Sequence, residues 1–173
     1  MKLLALSALL ATSLTPVAFA ADQANVLHFQ GRVTSQTCNV SLNGNPGTTV
    51  VVMPTIAEAA LATTGTTAGD TPFTLEFTNC SGKVNAKILF AGQYFNFAGR
   101  LLNTGTAKNL SIQVTDSLSN SIINFNDPNN TMSSQVDISS GTATIPFVAK
   151  YYAESPVSAG TVLASTNYEV VYE

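Results

Sequence analysis

Apolar and polar residues alternate in one short stretch after another along this chain. Alternation with a period of two places one side of a stretch against a core and the other side in solvent, so each stretch is a predicted β-strand. The clearest predicted strands cover residues 73–77, 110–114, 143–149 and 168–172, and less regular ones cover 26–33, 38–42, 48–53, 87–90, 122–125 and 135–138. Short strands separated by turn-forming clusters, with no sustained helical period, predict an all-β sandwich of immunoglobulin-like type.

Two details of this pattern have alternative interpretations. Residues 55–58, Thr-Ile-Ala-Glu, have the spacing of a helix capping box and precede an alanine-rich stretch, so they form either a short helical turn or a loop. Pro146 interrupts the predicted strand 143–149. Because proline has no amide hydrogen, this strand lies at a sheet edge or has a ladder that does not need that amide.

The amino terminus has the organisation of a secretory signal peptide. Lys2 precedes an apolar run over residues 3–14, and Pro16 and an Ala-Phe-Ala triplet ending at Ala20 follow. The apolar run is too short to span a bilayer. We therefore predict a signal peptide at residues 1–20, export without membrane insertion, and a mature chain the size of one domain.

The two cysteines of the mature chain are predicted to form a disulfide. Export carries Cys38 and Cys80 into an oxidising compartment, where a pair of thiols is normally oxidised. In the chain-entropy model, closing a loop of about 40 residues stabilises the fold by about 4 kcal/mol. Metal or redox chemistry would need a second Cys or a His nearby in the sequence, and His28 is the only histidine.

Charge argues against a nucleic-acid partner. The formal net charge is −3, only 10% of the residues are charged, and the seven Lys and Arg residues are scattered. Phosphate binding requires clustered basic residues, so no nucleic acid is expected to bind.

No group of residues in the sequence has the pattern of a catalytic site, so we predict neither an enzyme nor a bound cofactor or metal. His28 has no partner at catalytic spacing. Four aspartates stand beside turns or at strand ends, where Asp commonly accepts backbone hydrogen bonds: Asp70, Asp116, Asp127 and Asp137. Three aromatic residues could form a sugar-stacking platform, although a place in the core or in a covered strand is the favoured interpretation: Tyr94, Phe95 and Phe97.

Both ends of the mature chain carry an alternating strand in a position suited to pairing with another molecule. Near the start, one face carries Asn25, Leu27, Phe29 and Gly31. Near the end, one face carries Tyr168, Val170 and Tyr172, and Glu173 follows as the last residue. A strand at a chain end can join the sheet of another molecule without moving attached loops, so we predict intermolecular pairing at both ends.

Four blocks of sequence, in this order, resemble the pilin family of the chaperone–usher pathway, most closely the major subunits of type 1-like fimbriae. The blocks are HFQGRV at 28–33 with CNV at 38–40, FTLEFTNC at 73–80, TIPFVAKYY at 144–152, and a carboxy-terminal pattern with Gly160 and a penultimate aromatic residue, Tyr172. Together with the signal peptide and the cysteine pair, they cover nearly the whole mature chain.

The resemblance implies an incomplete immunoglobulin-like sandwich that lacks its final strand. A donor strand from a neighbouring subunit or from a periplasmic chaperone would complete it, pairing along a carboxy-terminal strand at residues 167–173. The implied organisation is a signal peptide at 1–20, a donor-strand extension at 21–32 with Leu27 and Phe29 as anchors, and a pilin domain at 33–173. An outer-membrane usher would exchange the chaperone strand for the extension of the next subunit, and repetition would build an adhesive fimbria at the cell surface. The implied chaperone contacts include Gly160 and the carboxylate of Glu173.

The sequence is also compatible with two alternatives to a major structural subunit. The extension is a few residues shorter than in familiar major subunits, and Asn25 stands where such subunits often carry glycine. Both departures are compatible with a minor or adaptor subunit of a single domain. The second alternative is an extracellular carbohydrate-binding β-sandwich.

Overall fold

The structure is a computed structural model and describes residues 38–82, 84–92 and 94–173. The strands are β1 (Asn39–Leu42), β2 (Thr67–Thr78), β3 (Asn85–Ala91), β4 (Leu101–Leu102), β5 (Lys108–Asp116), β6 (Ser121–Ile122), β7 (Val136–Asp137), β8 (Ala143–Ser158) and β9 (Asn167–Tyr172). One 3-10 helix covers Glu58–Leu61. Within the described ranges, no helix is long and apolar enough to cross a membrane.

The strands form two antiparallel sheets. The larger sheet has the order β1-β2-β8-β5-β4, with β6 beside β5, and the smaller sheet has the order β7-β3-β9. Alternate residues of the long strands turn inward and form one hydrophobic core, as expected for strands with one buried face. Its aromatic centre joins the sheets, because the ring of Phe147 in β8 packs 5.4 Å from that of Phe90 in β3 and 5.2 Å from that of Phe73 in β2.

The four clearest predicted strands are present as parts of β2, β5, β8 and β9. The prediction of a strand at 48–53 is wrong, because this segment pairs with no strand in the described part of the chain. Val51 and Met53 nevertheless pack against the core while Val50 and Val52 are exposed. Alternation therefore marked which side chains turn inward, but an apolar pattern does not itself provide a hydrogen-bonding neighbour.

Two other predicted strands are shorter in the structure than in the sequence interpretation. The segments at 122–125 and 135–138 retain only the short β6 and β7. Their apolar residues are still core residues, because Ile123, Phe125 and Ile138 are all buried. Irregular backbone thus places these side chains in the core without a continuous ladder.

A short helical turn forms after residue 57, but the predicted capping box does not. The residue at the amino-terminal cap is Ala57, whose side chain makes no capping hydrogen bond. The carboxylate of Glu58 instead accepts a hydrogen bond from the amide of Ala159 at 3.0 Å. Glu58 therefore connects the helical turn to the segment that follows β8.

Pro146 lies in a central strand, where its ladder does not need an amide. The opposite residue, Thr74, directs its own amide and carbonyl to Asn43, at 2.8 and 2.9 Å. On the other side of β8, Asp116 is the last residue of the β5 ladder, and the Pro146 carbonyl accepts a hydrogen bond from Ser117 at 2.9 Å. The interpretation of this strand as a sheet edge is therefore wrong, and the alternative, a ladder that does not need the amide of residue 146, is correct.

Candidate strand-acceptor site

The last strand of the chain lies at the edge of the smaller sheet. Within the described residues, β9 pairs with β3 alone, and the register places Tyr168 opposite Phe90, Val170 opposite Ile88 and Tyr172 opposite Ala86. An edge strand presents backbone donors and acceptors to whatever lies beside it. The free side of β9 is therefore a candidate site for another strand.

The hydrogen-bonding phase of β9 identifies which residues face the free side. Glu173 and Asn85 exchange both backbone hydrogen bonds, at 3.0 and 3.2 Å. Because the direction of backbone groups alternates along an antiparallel strand, Tyr168, Val170 and Tyr172 direct their amides and carbonyls away from β3. These are the three residues that the sequence placed on one face of the carboxy-terminal strand.

The side chains of the same three residues face the interior of the sandwich without being fully covered. Their partners in β3 are buried core residues. Tyr168 is nevertheless 45% exposed, and Val170 and Tyr172 are only partly buried. β9 therefore borders an apolar furrow, defined here by Tyr168, Val170 and Tyr172, that one additional strand would cover.

The carboxy-terminal end of β9 is attached to the disulfide region. Cys38 and Cys80 form a disulfide with their Cα atoms 4.2 Å apart, at the end of the β1–β2 ladder. The amide of Cys38 donates a hydrogen bond to the hydroxyl of Tyr172 at 2.9 Å. The side chain of Glu173 forms an ion pair with Lys87 at 2.8 Å. These contacts hold the end of the strand in place.

A cavity of about 540 Å³ lies beside the connection that leads from β8 to β9. Its wall includes apolar side chains from four parts of the chain: Met53, Ile56, Leu61, Leu110, Tyr151 and Val162. The segment 157–163, which precedes β9, forms one side, and residues 53–56 form another. Tyr151 contributes to the shape of this wall, since its hydroxyl donates a hydrogen bond to the carbonyl of Pro54 at 3.1 Å.

Gly160 lies in the connection between β8 and β9 and outside the carboxy-terminal strand. A Cβ atom at this position would overlap the backbone of Ala107, so the glycine allows two segments to approach closely. Gly160 also lines the cavity. The sequence pattern singled out this residue but not the contact that requires it.

The predicted donor-strand residues lie outside the described part of the chain. This applies to the signal peptide, the extension at 21–32 and His28, and to the four residues assigned to the inserting face: Asn25, Leu27, Phe29 and Gly31.

Three of the four aspartates accept backbone hydrogen bonds two residues further on, as predicted. Asp116 accepts one from Leu118 at 2.8 Å, Asp127 one from Asn129 at 2.9 Å, and Asp137 one from Ser139 at 2.7 Å. The amide of Asn129 lowers the pKa of Asp127. These are turn-stabilising roles.

Asp70 and Asp116 also have contacts that the sequence did not predict. Asp70 forms an exposed ion pair with Lys150 at 3.4 Å. Asp116 is buried, and its second carboxylate oxygen accepts a hydrogen bond from the amide of Ser134. Its carboxyl group thus accepts hydrogen bonds from two backbone amides of different segments.

The polar cluster around Glu154, on the outer face of the larger sheet, was not detected in the sequence. Arg100 forms a bidentate ion pair with Glu154 at 2.9 and 3.0 Å, and its guanidinium lies 3.7 Å from the centroid of the Tyr152 ring. Asn96 and Ser111 donate further hydrogen bonds to the same carboxylate. The Arg100 hydrogen bond lowers the pKa of Glu154, and the cluster fixes the turn at 96–100 to the sheet.

The favoured interpretation of the three aromatic residues is correct only for Phe95, which packs against the core. Tyr94 is 59% exposed and Phe97 is fully exposed. Tyr94 precedes a tight turn and Phe97 lies within it; in this turn the amide of Asn96 donates to the carbonyl of Arg100 at 2.9 Å. The turn directs the side chain of Phe97 outward, so apolar character alone did not determine burial.

An incomplete immunoglobulin-like sandwich, with one strand edge and an apolar furrow exposed, is the architecture of a protein that accepts a strand from another chain. The family model described as "Fimbrial protein" matches residues 27–173. The chain belongs to this family.

Curated relatives support the same assignment. The chain is 33% identical over 153 residues to the major fimbrial subunit SMF-1 of Stenotrophomonas maltophilia. The aligned residues cover 83% of this chain and 89% of the relative. It is 28% identical to the type-1 fimbrial protein A chain of Escherichia coli K12, over 99% of this chain and 98% of the relative.

Solved structures confirm the predicted fold. The P pilus rod subunit PapA matches with a TM-score of 0.61 and 16% identity, over 78% of this chain and 99% of that one. A subunit of a chaperone–usher pilus matches with a TM-score of 0.64 and 17% identity, over 88% of this chain and 97% of that one. At these identities the likeness establishes the fold and nothing finer.

Proposed function

We propose that this chain is a structural subunit of a bacterial surface fimbria and that copies of it polymerise by donor-strand complementation. The observation that carries the proposal is the edge of β9, which has no second neighbour among the described residues. There, Tyr168, Val170 and Tyr172 direct their backbone groups away from β3, and their inward side chains are incompletely covered. Strand addition of this kind takes affinity from main-chain hydrogen bonds and specificity from alternate side chains.

The proposed donor is the extension at residues 21–32 of the next subunit. The six residues of β9 extend over about 20 Å at about 3.3 Å per residue, and the segment from Asn25 to Gly31 has a comparable length. Leu27 and Phe29 would enter the furrow as anchors. Each would contribute about 1.5–3 kcal/mol if fully buried.

Two further partners are proposed for the steps before polymerisation. A periplasmic chaperone would cover the furrow with one of its own strands and bind the terminal carboxylate of Glu173 through basic residues. An outer-membrane usher would then exchange that strand for the next extension. Family membership supports both partners, as does the apolar furrow, since exposed apolar edges promote aggregation unless they are covered.

The proposed role is structural and not enzymatic. The curated relatives are fimbrial subunits, which supports this inference. The buried or clustered charges described above support it too, since Asp116 and Glu154 are engaged in hydrogen bonds that join segments of the fold.

A matched pair of variants tests the donor strand. The double substitution Leu27→Ala and Phe29→Ala removes both anchors, whereas His28→Ala with Gln30→Ala alters the opposite face of the same strand. We expect the first variant to be exported and folded but absent from fibres, and the second to assemble normally, as judged by electron microscopy of cells and by sedimentation of sheared fibres. Normal fibres from the first variant would refute the role of the extension.

The exposed aromatic residues favour a second candidate, a subunit that also binds carbohydrate. Tyr94 and Phe97 present their side chains to solvent around one turn, and exposed aromatic rings can stack on sugars. The double substitution Tyr94→Ala and Phe97→Ala should then abolish binding to a glycan array without affecting assembly. No glycan binding by wild-type fibres would eliminate this candidate.

A further inference from the structure

The segment 159–163, which leads from β8 toward β9, is attached to the loop 103–107 by an unusually dense set of hydrogen bonds. The amide of Thr104 donates to the carbonyl of Leu163 at 2.8 Å, and that of Ala107 donates to the carbonyl of Thr161 at 3.0 Å. The Thr106 hydroxyl accepts from the Thr161 amide at 2.8 Å, and the Thr161 hydroxyl accepts from the Thr106 amide at 3.0 Å. Two irregular segments thus form a small, well-paired unit.

The side-chain amide of Asn103 lies at the centre of this unit. Its Oδ1 accepts hydrogen bonds from the amides of Gly105 and Leu163, both at 2.8 Å. Its Nδ2 donates to the carbonyls of Ala107 and Thr161, at 2.9 and 3.4 Å. All four hydrogen-bonding positions of the amide are therefore used, and all four partners are backbone groups.

The segment that Asn103 holds has a second face, which forms one side of the 540 Å³ cavity. Gly160, Thr161, Val162 and Leu163 all line this cavity. The same segment ends four residues before β9 begins at Asn167. A displacement of 159–163 would therefore change the shape of the cavity and the path of the chain into the strand-acceptor edge.

We propose that Asn103 is a positioning residue for strand acceptance: it holds the segment 159–163 in the place where the cavity and the start of β9 can receive the incoming donor strand. This inference rests on the proposed function and adds to it a residue outside both the furrow and the cavity wall. Asparagine suits the position because its amide both donates and accepts. An aspartate has the same shape but would place an oxygen against two carbonyl oxygens.

The test measures strand acceptance and fold stability separately. A synthetic peptide of residues 21–32 is titrated into the purified mature chain, its dissociation constant is measured by fluorescence anisotropy, and the urea midpoint is measured in parallel. We expect Asn103→Ala, which removes all four hydrogen bonds of the side-chain amide, to weaken peptide binding about tenfold. Asn103→Asp keeps the two accepted hydrogen bonds but sets an oxygen against the carbonyls of Ala107 and Thr161, and we expect it to weaken binding at least as much as Asn103→Ala.

The control is Asn96→Ala, which removes three side-chain hydrogen bonds in the cluster around Glu154. It should lower the urea midpoint comparably while leaving peptide binding within about twofold of wild type. Equal loss of binding in the Asn96 and Asn103 variants would overturn the inference, as would unchanged binding in the Asn103 variants. If the wild-type chain itself does not bind the peptide, the proposed donor-strand function fails as well.

Discussion

The two strands β8 and β9 have the same alternating sequence pattern but different surroundings. β8 lies between β2 and β5, and its inward residues, among them Ile145 and Phe147, are buried. Among the described residues, β9 has a neighbour, β3, on one side, and its inward residue Tyr168 is 45% exposed. The strands differ in the neighbours that the fold supplies and not in the type of residue that they turn inward.

The contrast between β8 and β9 shows how a surface for another chain differs from the rest of a core. A side chain that faces the interior of a sandwich is normally covered by the opposite sheet and by adjacent strands. Val170 and Tyr172 have the direction of core residues and contact the core, yet they are only partly buried. Inward direction combined with incomplete cover marks the place that another chain would complete.

The largest expected effect comes from placing a charge in the furrow. Val170→Asp puts a carboxylate on the inward face of β9, where burial against a donor strand would be costly, whereas Val171→Asp puts it on the outer face opposite Lys87. We expect the Val170 variant to form no fibres and the Val171 variant to form normal ones. Electron microscopy of cells producing each variant measures this, and fibres from the Val170 variant would show that the two faces are equivalent for assembly.

A substitution in β8 should affect stability more than the corresponding one in β9. Phe147→Ala removes a ring with 0% exposure at the centre of the core and should lower the free energy of unfolding by about 3–5 kcal/mol. Val148→Ala, at the adjacent outward position, is the control and should cost far less. Urea denaturation of the purified chains gives both values. If Val170→Ala destabilised the isolated subunit as much as Phe147→Ala, the contrast between the strands would be wrong.

The weakest effect is expected for a pH dependence of stability that comes from the Arg100–Glu154 pair on the outer face of the larger sheet. The Arg100 hydrogen bond lowers the pKa of Glu154, so the pair contributes stability above the ordinary glutamate pKa of about 4.3, and this contribution is lost as the pH falls through the folded-state pKa. The difference in urea midpoint between wild type and Glu154→Gln should therefore shrink between about pH 7 and about pH 3. A constant difference over that range would contradict the assignment.

The strands with strong alternation were predictable because period-two patterning and burial have the same physical origin. The absence of a strand at 48–53 was not predictable, because Val51 and Met53 pack their side chains against the core without any strand partner in the described residues. The position of Pro146 likewise could not be predicted from the local sequence. Its place in a central strand depends on Thr74 bonding to Asn43 instead, which no local signal reveals.

The candidate site was predictable in part. Tyr168, Val170 and Tyr172 were assigned to one face from their spacing, and in the structure they lie opposite alternate residues of β3. The cavity and the hydrogen bonds of Asn103 were not predictable, because they join segments far apart in the sequence. Asn103 and Leu163, for example, are 60 residues apart.

The amino-acid sequence determined which side chains turn toward the core, where turns interrupt the strands and which family the chain belongs to. These properties follow from local periodicity and from the order of short motifs. The neighbours of a strand are set by contacts between distant segments, so the packed fold was needed to show that, in the part of the chain described, β8 has a neighbour on both sides and β9 on one. The incompletely covered furrow is therefore a property of the packed sheets, although every residue that borders it was already recognisable as apolar.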